Sequence, residues 1–497
     1  MIDRLKNVGH LFFHFEEEAQ FHNLFWGWML FLYISGLSLW GMFLNWGNFD
    51  FIVQDWYEIT GPRLYFLKDA IMAGVLPLHM TGTSALVLLT DRFLSIPDQL
   101  LSPQVLLLKF MNPAVFVLAN WLVLYTVGFA GLLVFSRNYR LSPFAATIIF
   151  LLFNFNGQIE AHLSIGHITW GGYFLFPWFV LFILELQDKK IQWRWAIKVA
   201  GLLFIIFLQG SFHQFVWGLI FLGFLVFVFP KQFWAIIMAG VFACLFSAIR
   251  IFPAILIAGN VNQEFLGGFP GAWELLLGFV QIRDPAVMVQ GLVHPTYVWE
   301  YDFYLGAVGS IFLAVFGVQQ WLTKSTFSVR FLIPITALLL LSLGGTYEII
   351  RVIPLPIFDG ERMTTRLLSL PLVFLILFAG VHFQNWFNQL DRRPYHYLLL
   401  LLGLGILGSD LWTHFLMWQV SSIFTLFAGQ YTFNPAAWVQ ANYVDSLYTG
   451  MLRRGLIITG LSLVLGAGMA WFNPPVGISL HFFRNIFRRL HLFGRHI

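Results

Sequence analysis

A chain of 497 residues with a single cysteine, Cys244, has no intrachain disulfide and no cysteine cluster for a metal. Charge is nearly as scarce. Only 10% of the residues are Asp, Glu, Lys or Arg, while 59% are hydrophobic. Soluble domains carry roughly 25% charged residues, so a soluble globular class is excluded. The net charge of +4 gives no sign of a nucleic-acid partner. No clear internal repeat, low-complexity linker or attached soluble domain stands out. Alternating ten-residue segments, the signature of a membrane barrel, are missing too. The N-terminal MIDRLKNVGHLFFHFEEEAQ has no apolar core before Glu16–Glu18 and no small-residue cleavage site, so the first apolar run is expected to stay as a helix.

What is present is apolar sequence from end to end, with a mean hydropathy of +0.76. The fold class expected is an all-α polytopic membrane protein. About twelve transmembrane helices are expected, near 24–46, 113–136, 141–156, 170–187, 195–209, 213–230, 233–257, 304–322, 329–344, 366–383, 397–419 and 455–472. They make one transmembrane domain over 24–472, between a cytoplasmic segment 1–23 and a basic cytoplasmic tail 473–497.

Charge distribution orients this domain. With the N-terminus inside, the short inner connections are SRNYR, DKKIQWRWAIK, PKQ, TKSTFSVR and LDRRPYHY, and the tail is FRNIFRRLHLFGRHI. All are basic, as the positive-inside rule requires; Arg453 and Arg454 are the exception. The expected location is the cytoplasmic (inner) membrane with both termini cytoplasmic. The outer connections, 47–112, 258–303, 345–365 and 420–454, are long and rich in Trp, Phe, Leu and Pro, which predicts short interfacial helices. In RLYFLKDAIMAG, Leu64, Leu67, Ile71 and Val75 share one helical face, with Arg63, Lys68 and Asp69 elsewhere.

The polar residues gather on this outer face. NFDFIVQDWY brings Asp50 and Asp55, and the expected outer loop QIEAHLSIGH brings Glu160, His162 and His167. His213, Arg250, His294, Glu300, Asp302, Asp359, Glu361, Arg362 and Arg366 follow. Ionisable groups at membrane depth are costly and are kept for a task. A carboxylate could act as general base on an acceptor hydroxyl while arginines and histidines hold the phosphate of a lipid-linked donor. The same groups could instead form a proton relay or an ion site. The bland readings are a solvated loop start for Asp50 and Asp55, hydrogen-bonded loop histidines, and a headgroup anchor for Arg362 and Arg366. The i,i+5 spacing of His162 and His167 is not that of a zinc pair on one helical face. Asp410 and His414, one turn apart, are expected to pair within a span. The abundant Trp and Phe are expected mostly at lipid and interface.

In order and sidedness these elements resemble the multi-spanning C-type glycosyltransferases, which use polyprenyl-phosphate-linked sugars. The nearest likeness is to the bacterial branch implicated in glycosylating lipoteichoic acid. The residues that carry it are Asp50 with Gln54, AGVLPLHMTG, LLSPQVLLL, GHITWGGYFLFPW, EYDFYLG and GERMTTRLLSLPL, over about residues 20–380. The chain departs from the family pattern in three places. Its first-loop acids are five apart, its G-x-x-P element ends at His79, and no large C-terminal extracytoplasmic domain is expected.

The resemblance implies transfer of a sugar to an extracytoplasmic acceptor, with Asp50 as catalytic carboxylate assisted by Asp55 or Glu160. It implies donor-phosphate contacts from Arg362 and Arg366, to which Arg250 and His167 are added as candidates. His162, His213, Glu300 and Asp302 complete the polar set. Implied partners are membrane lipids and the isoprenoid-linked donor; a divalent metal is left open, since some members of the superfamily need one. Two other readings stand beside it: a catalytically silent subunit of a larger membrane complex, and a transporter of a lipid-linked substrate. The third is weakened by inner halves nearly bare of acids and by the lack of an inverted repeat.

Overall fold

The architecture comes from a computed structural model that describes residues 10–16, 19–80, 91–187, 193–258, 265–291, 294–319, 329–352, 361–390, 393–427 and 445–472. The expected basic tail and Asp359 lie outside the described residues. Among those described, helices dominate. The two short strands Met288–Gln290 and Pro295–Tyr297 pair antiparallel, with Met288 opposite Tyr297.

Seven described helices are long and apolar enough to cross a membrane: Gln20–Phe43, Pro113–Asn138, Pro143–Ser164, Ile168–Gln187, Thr364–Gln389, Pro394–Trp418 and Ser446–Trp471. The protein is thus an α-helical, multi-pass membrane protein. An eighth crossing results if Phe212–Val228 and Pro230–Phe246, bent by 116° at the Pro230 break, count as one span. The apolar helices Ala248–Ile257, Gly306–Val318 and Val329–Leu341 fall short of the roughly 20 residues a crossing needs. The twelve expected spans therefore become seven or eight full-length ones among the described residues, with shorter helices between them.

Local sequence sets where these helices begin and break. Asn112 Oδ1 accepts from Val115 N at 2.8 Å and Ser142 Oγ from Ala145 N at 3.3 Å, each followed by proline in the first turn. The span expected at 233–257 breaks at Ser247, where the backbone leaves helical geometry. The break frees the Ile249 N–H, which donates to Thr459 Oγ1 at 3.0 Å. A broken helix is tolerated at membrane depth where a neighbour supplies such a partner. That neighbour, Ser446–Phe472, lies close because Gly455 crosses at the Ala248 backbone, where a Cβ would come within 2.7 Å of the carbonyl oxygen. It starts within the stretch expected to be the last outer loop.

Helix Ser369–Gln389 is the hub. The most apolar stretch of its span is wholly buried, whereas only 22% of the corresponding stretches of Pro394–Trp418 and Ser446–Trp471 is buried. All three are apolar around their circumference. The first is surrounded by helices, and the other two leave most of their surface for lipid. Phe374 stacks on Phe221 at 4.7 Å, and Phe383 meets Phe316 edge-on at 5.3 Å.

The connection expected to be the first outer loop contains the helix its pattern predicts, Gly61–Ala73, ending at Gly74 in the left-handed conformation. Leu64 and Leu67 are buried, but Val75 is exposed, and Arg63 is buried instead of lying on the polar side. QIEAHLSIGH is not an exposed loop. Residues Gly157–Ser164 form a helix buried at every position, continuing the third span past a kink at Phe155–Asn156. The apolar run before it carries the chain into the bundle, and interior polar partners make its burial tolerable.

Candidate functional site

Asp50 and Asp55 part company at Gln54, whose φ of 45° is unusual for a residue other than glycine. Asp50 is exposed and lines an open cleft of about 450 Å³ with Gly47, Phe49, Tyr65, Asn112 and Pro113. Burial, followed by the Asp50 charge, pushes the Tyr65 phenol above its ordinary value. Asp55 turns the other way and meets His167 Nε2 at 2.5 Å.

His167 is held by the packing of two segments. Trp56 Nε1 donates to the Ser164 carbonyl at 2.8 Å, and Thr60 Oγ1 donates to the Gly166 carbonyl at 2.6 Å. Gly166 has φ +111°, and a Cβ there would come within 2.5 Å of Trp56 N, so glycine is required. His167 Nδ1 lies 2.7 Å from His162 Nδ1. One imidazole nitrogen must donate and the other accept, so the proton positions of this pair are linked. The His162 ring stacks on Trp170 at 4.1 Å.

Arg366 joins this group from the start of the hub span. Its guanidinium makes a forked ion pair with both Glu300 oxygens and lies over the Trp170 ring at 5.6 Å. Glu300 Oε2 is 3.9 Å from His162 Nε2. Nearby, Glu361 accepts from Trp217 Nε1 at 3.0 Å and sits 3.0 Å from His213 Nδ1. Burial would push the Glu361 carboxyl up, but His213, Arg366 and Trp217 outweigh it and hold the carboxyl below its usual range. Arg63 pairs with Asp98 at 3.2 Å. Burial opposes ionisation of Asp98 as well, yet Arg63 and His213 hold that carboxyl below its ordinary value. Asp55, His162, His167, Arg366, Glu300, Glu361, His213, Asp98 and Arg63 thus make one charged network.

A second polar group lies behind the first. Glu160 and His162 are two positions apart on one helix, and so are Glu300 and Asp302 on their turn. Side chains two positions apart on a helical turn leave on nearly opposite sides. His162 and Glu300 face the network above. Glu160 and Asp302 face His414, with Glu160 Oε2 at 2.6 Å from Nδ1 and Asp302 Oδ2 at 3.0 Å from Nε2. The expected Asp410–His414 pair is replaced by these contacts; Asp410 is half-buried one turn away, beside Gly306.

Two candidate phosphate ligands stand apart from the network. The Arg250 guanidinium is buried, and its Nη2 donates to the carbonyls of Ile96, Pro97 and Gln99 at 2.9–3.0 Å. Its Nη2 is thus spent on the loop before the second span, while its Nε is buried without a hydrogen-bond partner among the described residues. The Arg362 side chain is exposed, while its backbone carbonyl accepts from Leu266 N at 3.0 Å. Among the described residues, no group of three His, Cys, Asp or Glu could hold a metal ion.

Arg63, Asp98 and the tryptophans are the members that sequence reasoning missed. Arg63 looks like one more surface charge on an amphipathic helix, and only the packing buries it. Trp170 and Trp217 are buried, not placed in a lipid-facing belt. The GHITWGGYFLFPW stretch was the one signal pointing to Trp170. No family model, no curated protein and no solved structure matches the chain.

Proposed function

We propose that the protein is a glycosyltransferase of the C type, working on the outer face of the cytoplasmic membrane with a polyprenyl-phosphate-linked sugar as donor. The observation that carries this reading is the position of Asp50. It is an exposed carboxylate in an open cleft at the end of the first membrane-length helix, while its neighbour Asp55 is tied into a charged network. A general base needs access to its substrate hydroxyl, and of the two acids Asp50 has it. Asp50 takes the proton of the acceptor hydroxyl, and the sugar moves from donor phosphate to acceptor. Arg366, which feels the charge of Asp55 on this loop, is the fixed cation that would steady the leaving phosphate. Glu160 has no part in this step, because it is enclosed on the far side of its helix. The basic inner connections support the orientation.

The test is transfer by purified protein in lipid from radiolabelled polyprenyl-phosphate sugars to an outer-leaflet acceptor lipid. Transfer lost in Asp50→Asn, with the thermal midpoint unchanged, supports the reading. Transfer that persists in Asp50→Asn removes Asp50 as the base.

A second reading has its own observation. Nearly every acid near the site already has a partner in the fold: Asp55 in His167, Glu300 in Arg366, Glu361 in His213 and Asp98 in Arg63. Charges that satisfy one another hold a fold together without doing chemistry. A silent member of this fold, serving as a subunit of a larger membrane complex, would look the same. Purification from native membranes with partner chains at fixed stoichiometry and no transfer activity would favour that reading.

A further inference from the structure

The Glu160–His414–Asp302 group is a buried cluster that the proposed transfer does not use. All three side chains are nine-tenths buried or more. Two carboxylates flank one imidazole, so even a fully charged His414 leaves one negative charge without a partner. An unpaired charge in an apolar interior costs so much that the group takes up a proton or a counter-ion instead.

The hydrogen bonds say where the extra proton sits. Asp302 accepts from three donors: His414 Nε2 at 3.0 Å, Trp418 Nε1 at 2.9 Å and the Tyr304 backbone N–H at 3.0 Å. Three donors on one carboxyl are the mark of an ionised carboxylate. Glu160 meets only His414, and its Oε1 is buried without a hydrogen-bond partner among the described residues. One turn before it, Asn156 Oδ1 is likewise a buried acceptor without a partner. The other charged or titratable groups on the facing elements do not change the balance. Tyr304 stacks on the His414 ring at 4.7 Å, Asp410 is a further acid, and His162 and Glu300 face the other network. Among the described residues, no group of three His, Cys, Asp or Glu is placed to hold a metal ion.

We propose that Glu160 carries a resident proton, which makes the buried Glu160–His414–Asp302 group neutral and lets it clasp helix Pro394–Trp418 onto the bundle. That helix needs a clasp. Its buried residues are Leu407, Leu411, His414, Phe415 and Trp418, and two of those five bond to Asp302. Removing the proton at alkaline pH puts an unpaired charge under the helix and loosens it.

The test is infrared spectroscopy of the full chain in lipid discs at neutral pH, comparing wild type with Glu160→Gln. Gln is neutral and can accept the same bond from His414. The expected difference is a carbonyl band of a protonated carboxylic acid, sensitive to deuterium oxide, that is present in wild type and missing in the variant. Loss of carboxylate bands in its place overturns the proposal. Should Glu160→Gln fail to fold, wild type labelled with carboxyl-13C glutamate decides: a label-shifted protonated band supports it, and none overturns it. Thermal midpoints add a second readout. Wild type should lose stability at alkaline pH, and Glu160→Gln should lose less. A midpoint that rises with sodium at fixed ionic strength would instead give the place to a cation and overturn the proposal.

Discussion

Asp50 and Asp55 lie five residues apart and face different surroundings, one an open cleft and the other His167 at 2.5 Å. Their substitution should therefore separate activity from stability. Asp50→Asn should lower sugar transfer by about 10²–10⁴-fold, the usual contribution of a general base, with an unchanged thermal midpoint. Asp55→Asn should cost about 1.5–3 kcal/mol through the lost charge-assisted bond. Transfer rates and midpoints of both variants in the same lipid check the contrast.

Glu300 and Arg366 test whether the network is held by a buried ion pair. Removing one partner leaves the other buried and unpaired, so Arg366→Met should destabilise by about 3–5 kcal/mol. The double variant Glu300→Leu with Arg366→Met should recover a large part of that loss, because neither charge is then stranded. A double variant no more stable than the single one would mean that Arg366 is held by Trp170 and its other neighbours.

Gly166 should not tolerate a side chain. Its φ of +111° and the nearness of Trp56 N strain any Cβ, so Gly166→Ala should cost about 1–3 kcal/mol. The same substitution at Gly74, also left-handed but with open space around its Cβ, should cost less. Paired thermal melts compare the two.

Acid should unlock the network through Glu361 and Asp98. Both carboxyls are held below their ordinary values in the folded chain. Their contribution is fully present above the unfolded carboxylate value and is lost as pH falls through the lower folded value. His213 lowers both, so His213→Gln should shrink the acid-side loss of stability. Melting curves taken from neutral pH downward, for wild type and variant, measure it.

The membrane class was legible because hydropathy is additive along the chain. A run of twenty apolar residues declares itself without tertiary contacts, as Pro113–Asn138 and Pro394–Trp418 do. Span number was less legible. The run around Ser247 reads as one continuous apolar span, and whether the helix breaks there depends on partners such as Thr459. Helix Gly61–Ala73 could be read from its spacing, but the burial of Arg63 could not, since Asp98 arrives 35 residues later.

The sequence by itself determined that this chain is an α-helical membrane protein, and it singled out most of the polar residues that later meet. Only the tertiary structure decided which of them meet. Glu160 and His162 are near neighbours in sequence, yet helical geometry sends one to His414, 254 residues away, and the other to His167. Contacts made across such separations depend on how whole helices pack. Local sequence specifies the helices, and the assembled bundle specifies the pairs.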